Sequence, residues 1–333
     1  MPEPRRPRSP GPAAAEMPAP LARLLADVRA GRPRAVGRVI SLVEDGSPAL
    51  PAVLAALAPD TGRAHVVGLT GPPGVGKSTT TAALVGALRA RGERVGVLAV
   101  DPTSPFTGGA LLGDRVRMQQ HAVDEEVHIR SMATRGHLGG LAVAAPQALR
   151  VLDAAGCTTV LVETVGVGQS EVEVGAAADV TVVLLAPGMG DGVQAAKAGV
   201  LEIGDLFLVN KADRDGAQAL VRDLRAMVAL TPREPQDWQP PVLTAVASEG
   251  TGVAELLAAL DRFRSHQHDS GAAERRRHDR ARRELVGLAL AAVQARLESP
   301  LGVDLDGLAA SVQAGRLDPY AAAEELLRRL PPT

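Results

Sequence analysis

Seven short apolar runs divide the middle of the chain: VVGLT (66–70), VGVLAV (95–100), VHIRSMA (127–133), TVLVE (159–163), VTVVLLA (180–186), LFLVN (206–210) and VLTAVA (242–247). Each is too short for a helix, and most are too continuously apolar for a strand with one wet face. Helical stretches separate them. This alternation predicts an α/β fold: a mostly parallel sheet of about seven strands with helices on both faces. In such sheets ligands collect beyond the carboxyl ends of the strands, so the segments following each run are the places to look for chemistry.

The flanks read differently. Residues 1–18 hold six prolines and no apolar period, which predicts a disordered tail. Residues 19–62 form an N-terminal helical segment containing LARLLADV, AVGRVISLVED and PAVLAALA. The sheet region spans 63–264. Residues 265–333 read as a C-terminal helical extension, led by ERRRHDRARRELVGLALAAVQARL (274–297), charged first and amphipathic later. A last helix is expected from Asp318-Pro319, an N-cap followed by proline at the first helical position.

Composition narrows the field. The 333 residues are 46 % hydrophobic yet contain one Trp, one Tyr and three Phe, so the core is aliphatic. A net charge of −2 and scarce aromatics argue against a nucleic-acid surface. No run reaches the ~18 apolar residues of a membrane span, so no membrane role is expected. A single cysteine, Cys157, fits a reducing, cytoplasmic setting. Of 36 basic residues only Lys77, Lys197 and Lys211 are lysine. Codon bias explains the arginines, and the surviving lysines mark places where a compact ammonium matters.

GPPGVGKS (71–78) fits G-x-x-x-x-G-K-[ST], follows a strand and opens the helical TTTAALVGALRA. That is a phosphate-binding P-loop: the backbone of Gly71, Pro72, Pro73, Gly74, Val75 and Gly76 onward wraps the phosphates, its N–H donors coming from the residues other than proline. Lys77 reaches the β/γ-phosphates and Ser78 ligates Mg²⁺, with Thr79 beside it. NKAD (210–213) ends the sixth run. The Asp213 carboxylate accepts from guanine's N1–H and N2 amino group but would repel adenine's ring nitrogen, and Lys211 lays its stem along the base. The expected nucleotides are GTP and GDP.

Asp101 ends the run next to the P-loop's helix, placed to serve Mg²⁺ or the attacking water. The segment after it, DPTSPFTGGALLGDRVRM (101–118), is glycine-rich and carries Asp114. Glu163 and Gly166 have the E-x-x-G spacing with which nucleotide hydrolases set a carboxylate near Mg²⁺ and a glycine N–H near the γ-phosphate. Gln169 is a candidate for orienting water. PGMGDGVQAAKAGV (187–200) holds Asp191 and Lys197.

With these segments in order, the chain resembles the methylmalonyl-CoA mutase-associated GTPases, the MeaB/ArgK family, P-loop GTPases related to nickel-insertion and signal-recognition GTPases. The resemblance covers about residues 20–330 and is carried by GPPGVGKSTT, AVDPTSPFTGGALLGDRVRM, TRGHLGGLA (134–142), VETVGVGQSE, the block 187–213 and EGTGV (249–253). It implies a homodimeric GTP-hydrolysing chaperone that gates cofactor loading of an adenosylcobalamin-dependent acyl-CoA mutase, working with the mutase and its adenosyltransferase. It also implies nucleotide contacts along Gly71 to Thr79, at Asn210, Lys211 and Asp213, and at Val246, Ala247 and Ser248. Asp101 and Glu163 take the Mg²⁺ and hydrolysis roles, and segments 101–118, 163–171 and 187–200 become switches. The chain departs from the family in reading VAS at 246–248 and GDGVQ at 190–194.

Two other functions use the same loop. A nickel metallochaperone would want clustered His or Cys ligands, and only His266 and His268 lie close together. A small-molecule kinase would need an acceptor, whereas NKAD with mobile loops suits a timer.

Overall fold

The structure, a computed structural model, describes residues 18–102, 121, 123–134, 140–164, 177–188, 203–230, 232, 234, 236–297 and 304–329. The side chains of 101, 102, 133, 134, 140–143 and 164 are outside that description.

Seven parallel strands form one sheet: β1 (His65–Thr70), β2 (Val95–Pro102), β3 (Val127–Thr134), β4 (Thr159–Thr164), β5 (Val180–Leu185), β6 (Leu206–Asn210) and β7 (Val242–Ala245). Their order across the sheet is β3-β2-β4-β1-β5-β6-β7. Each coincides with one of the seven apolar runs, its ends differing by at most two residues. β1 is central, pairing with β4 through Leu69↔Glu163 and with β5 through Thr70↔Val183. The P-loop therefore leaves the middle of the sheet, where neighbouring strand ends converge on it.

Alternation along the strands sorts the core into two faces. Val66, Leu98, Val100, Val160 and Val162 face one way, under α1 (Ala19–Arg29), α2 (Pro33–Glu44), α3 (Leu50–Leu57) and α5 (Gly140–Ala154). Val67, Leu69, Val97, Leu161 and Val182 face the other, under α4 (Lys77–Ala90) and α7 (Val253–Asp269). Farther along the first face, Val183, Leu185 and Phe207 pack on α6 (Ala217–Leu230). The amino-terminal helices share this core: Leu25, Val28, Val39 and Ile40 are buried with the strand residues.

The carboxyl-terminal helices are α8 (Ala272–Leu297), α9 (Leu305–Gln313) and α10 (Pro319–Arg329). Asp318 caps α10, its Oδ1 accepting from the backbone N–H groups of Tyr320 and Ala321 at 2.9 and 3.1 Å. Two arginines in the arginine-rich half of α8 are paired within the chain. Arg276 forks onto Asp205 at 2.7 and 2.9 Å, and Arg280 meets Asp179 at 2.7 Å. Arg276 also lies over the Phe263 ring, 5.3 Å from its centroid. Its apolar half is uncovered: Leu285 is 68 % and Leu290 65 % exposed.

Candidate functional site

The P-loop runs from β1 into α4 with glycine where other residues would not fit. Gly71 has φ +137°, and a Cβ there would stand 2.2 Å from the Leu184 carbonyl oxygen on the neighbouring strand. Gly76 has φ +94°, and a Cβ there would lie 2.3 Å from the Asn210 amide nitrogen. Side chains at either position would push the loop off the sheet's rim. The turn ends at the amino terminus of α4, whose free N–H groups and dipole favour an anion.

Lys77 and Ser78 are buried at the start of α4. The Lys77 ammonium donates to the carbonyls of Gly71 at 2.6 Å and Pro72 at 3.1 Å, so its charge curls back over the loop that would hold phosphates. Glu163, 1 % exposed, accepts from Ser78 Oγ at 2.5 Å and from Thr81 Oγ1 at 2.8 Å. The direction of the first bond matters. The Ser78 hydroxyl donates its O–H in this bond, which turns its oxygen lone pairs away from Glu163. A hydroxyl held this way fits a divalent cation. Glu163 would then act on the cation through Ser78 rather than as a direct ligand, in keeping with its longer side chain. Thr81, on the same helix face as Lys77 and Ser78 at spacings of four and three, was not among the expected site residues. The run GKSTTT was its only sequence signal.

Asp101 closes β2 at the same rim. Ala99 pairs with Glu163, and Asp101 stands two residues farther along, at the end of the strand. Thr70, the last residue of β1, has a buried hydroxyl without a hydrogen-bond partner among the described residues.

The end expected to meet the base is organised by Asn210. Its side-chain nitrogen donates to the Val75 carbonyl at 2.8 Å, and its oxygen accepts from the Ala247 N–H at 3.1 Å. Asn210 thus ties the P-loop to the segment holding Val246, Ala247 and Ser248. Lys211 has φ +56°, an uncommon conformation for a residue with a Cβ, and its ammonium donates to the Gly74 carbonyl at 2.6 Å. The 3₁₀ turn Ala247–Glu249 is held by the Val246–Thr251 bridge, and Gly252 (φ +82°) is required because a Cβ would sit 2.2 Å from the Thr244 carbonyl oxygen. EGTGV is thereby a scaffold for the turn. Asp213 is exposed, and its carboxylate makes no hydrogen bond or ion pair among the described residues. It is free to meet a base.

The structure thus brings together the loop 71–79, Glu163, Asn210, Lys211 and 246–248, with Asp213 projecting beside them. Asp114, Gly166, Gln169, Asp191 and Lys197 lie outside the described residues. Among the described residues no group of three or more His, Cys, Asp or Glu side chains could hold a metal ion by itself, and no helix is long and apolar enough to cross a membrane.

Comparison with known proteins gives a consistent answer. Residues 36–300 match the family model described as "Methylmalonyl Co-A mutase-associated GTPase MeaB". A Pyrococcus horikoshii protein named as a GTPase is 44 % identical over 93 % of this chain and 98 % of its own length. The mitochondrial "Methylmalonic aciduria type A homolog" of Caenorhabditis elegans is 35 % identical, covering 79 % of this chain and 67 % of that one. Among solved structures, a crystal structure titled "LAO/AO transport system kinase" superposes with a TM-score of 0.71 at 28 % identity, over 95 % of this chain and 99 % of the other.

Proposed function

The chain belongs to the methylmalonyl-CoA mutase-associated GTPases, the MeaB family, and from that premise we propose that it is a GTPase chaperone for an adenosylcobalamin-dependent acyl-CoA mutase, gating cofactor loading and protecting or reactivating that enzyme. The observation that carries the nucleotide reading is the Ser78–Glu163 bond beside the P-loop, with Asp213 unpartnered among the described residues at the other end of the site. In this reading the N–H groups at the start of α4 and Lys77 hold the β- and γ-phosphates, Asn210 fixes the spacing between phosphate and base segments, and Asp213 selects guanine. Ser78, with Asp101 and Glu163 close by, would hold Mg²⁺, which would neutralise charge on the phosphates. Asp114, Gly166, Gln169, Asp191 and Lys197 serve the three switch segments.

The partner assignment rests on the family and on the name of the nematode relative. The homodimer is favoured by the uncovered apolar half of α8; on α10, Tyr320 at 85 % and Leu327 at 59 % are exposed as well. GTP turnover with and without an added cobalamin-dependent acyl-CoA mutase tests the proposal. A rate that rises with the mutase, and a rise blunted in Lys197→Ala while basal turnover persists, is expected. Turnover indifferent to every such mutase, or phosphate passed to a small acceptor instead, would remove the chaperone reading.

A further inference from the structure

Glu163 ends in a group that one contact does not fix. The last torsion of a glutamate side chain is broad, so a carboxylate held through a single oxygen still swings about that bond. In this structure both oxygens are engaged: Oε1 accepts from the Ser78 hydroxyl at 2.5 Å and Oε2 from the Thr81 hydroxyl at 2.8 Å. The donors lie three residues apart on one face of α4, and the acceptor is on β4, in register with Leu69 of β1 and Ala99 of β2. Helix and strand therefore meet through a two-point contact between buried side chains.

Thr81 does not need Glu163 to satisfy its own hydroxyl. The Lys77 carbonyl, one helical turn back, stands 3.0 Å from the same oxygen, and a threonine in a helix readily settles for that bond. Thr80 does so: among the described residues its hydroxyl donates only to the Gly76 carbonyl, at 2.9 Å. Thr81 takes the rotamer that faces the backbone carbonyl and the carboxylate together. The distance to the carboxylate is the shorter, and a carboxylate is the stronger acceptor. Packing alone does not call for a hydroxyl here. The neighbouring buried residues of α4 include Ala82, Leu84 and Val85, and valine has the same branched shape as threonine.

We propose that Thr81 is a positioning residue for the divalent cation of the nucleotide site. It pins the Glu163 carboxylate through Oε2 and so holds Oε1 at the angle that receives the Ser78 O–H. The Ser78 lone pairs are then turned away from Glu163 and available to Mg²⁺. This role rests on the nucleotide reading of the site and deepens it: a threonine one turn beyond the P-loop lysine, acting only through Glu163 and Ser78, sets how well the metal is held.

The test compares the full chain as wild type, Thr81→Val and Thr81→Ser. Calorimetry reads GDP binding in EDTA and in Mg²⁺, and water-proton relaxation reads Mn²⁺ titrated into the GDP complex. Thr81→Val is expected to bind GDP in EDTA as wild type does. The tightening produced by Mg²⁺ and the affinity for Mn²⁺ should both fall about fivefold, the net worth of one hydrogen bond. Thr81→Ser keeps the donor and loses the methyl, so it should recover most of both. Equal metal effects in Thr81→Val and wild type would overturn the proposal. So would equal losses in the valine and serine variants, which assign Thr81 to packing, or a loss of affinity in EDTA as large as the loss in Mg²⁺. Should Thr81→Val fail to fold, Thr81→Ala takes its place in the same comparison. Wild type that binds no GDP would remove the nucleotide reading and this role with it, a result distinct from wild type and variant binding alike.

Discussion

Replacing Glu163 by glutamine changes one atom group and isolates the Ser78–Glu163 contact. Glu163 is 1 % exposed and accepts from Ser78 at 2.5 Å and Thr81 at 2.8 Å. Thr81 has an alternative acceptor in the Lys77 carbonyl at 3.0 Å, so its single proton need not be orphaned. Ser78 is the sensitive partner. Glutamine offers it a neutral oxygen, or an NH₂ that would donate into the lone pairs a cation needs. Exchanging a charge-assisted hydrogen bond for a neutral one costs about 1–1.5 kcal/mol, roughly tenfold in an equilibrium constant. The expected outcome of Glu163→Gln is therefore a specific one. Affinity for GDP in EDTA stays close to wild type, while the further tightening produced by Mg²⁺ falls about tenfold, with hydrolysis falling alongside. Calorimetry with GDP and a non-hydrolysable GTP analogue, each with and without Mg²⁺, reads both parts. Equal Mg²⁺ enhancement in variant and wild type would refute the idea that Glu163 aims the Ser78 hydroxyl.

Three other outcomes are expected. Asp213→Asn should weaken GDP binding by about a hundredfold, the loss of two hydrogen bonds to a charged acceptor, and restore tight binding to xanthosine diphosphate; calorimetric titration with both nucleotides checks the exchange. Gly71→Ala forces a Cβ to within 2.2 Å of the Leu184 carbonyl in a left-handed backbone, so it should cost about 1–3 kcal/mol of stability and most nucleotide affinity, read by urea unfolding and GDP titration. His65 and His128 are both held below the usual histidine range, burial being the main cause for each, with Arg94 adding to it at His128. Such groups bind more protons when unfolded, so stability present above pH 6.5 should fall as the pH drops below that value; urea midpoints at pH 7.5 and 5.5 measure the slope, which His128→Leu should flatten.

The seven apolar runs became the seven strands because period and β-branched content act locally, and a buried parallel strand needs little else. The P-loop and NKAD were legible for a related reason: each is a short segment whose chemistry is set by neighbours in the chain. Asp318 as a cap belongs to the same class. Other features depended on contacts between distant residues. That Glu163 would reach Ser78 and Thr81, 85 and 82 positions away, follows from β4 lying beside β1, an order that alternating strands and helices do not specify. Asn210 reads as a nucleotide contact in its motif, but the fold engages both ends of its amide in backbone bonds that join two nucleotide segments. The arginines of α8 read as a charged helix face, and only packing decided that Arg276 and Arg280 are neutralised at the sheet's amino edge. Local sequence determines element type and motif chemistry because both depend on bonds and torsions within a few residues. Pairing, burial and which charges lack partners are decided by strand order and helix docking, because electrostatic and packing energies depend on distance in space rather than along the chain.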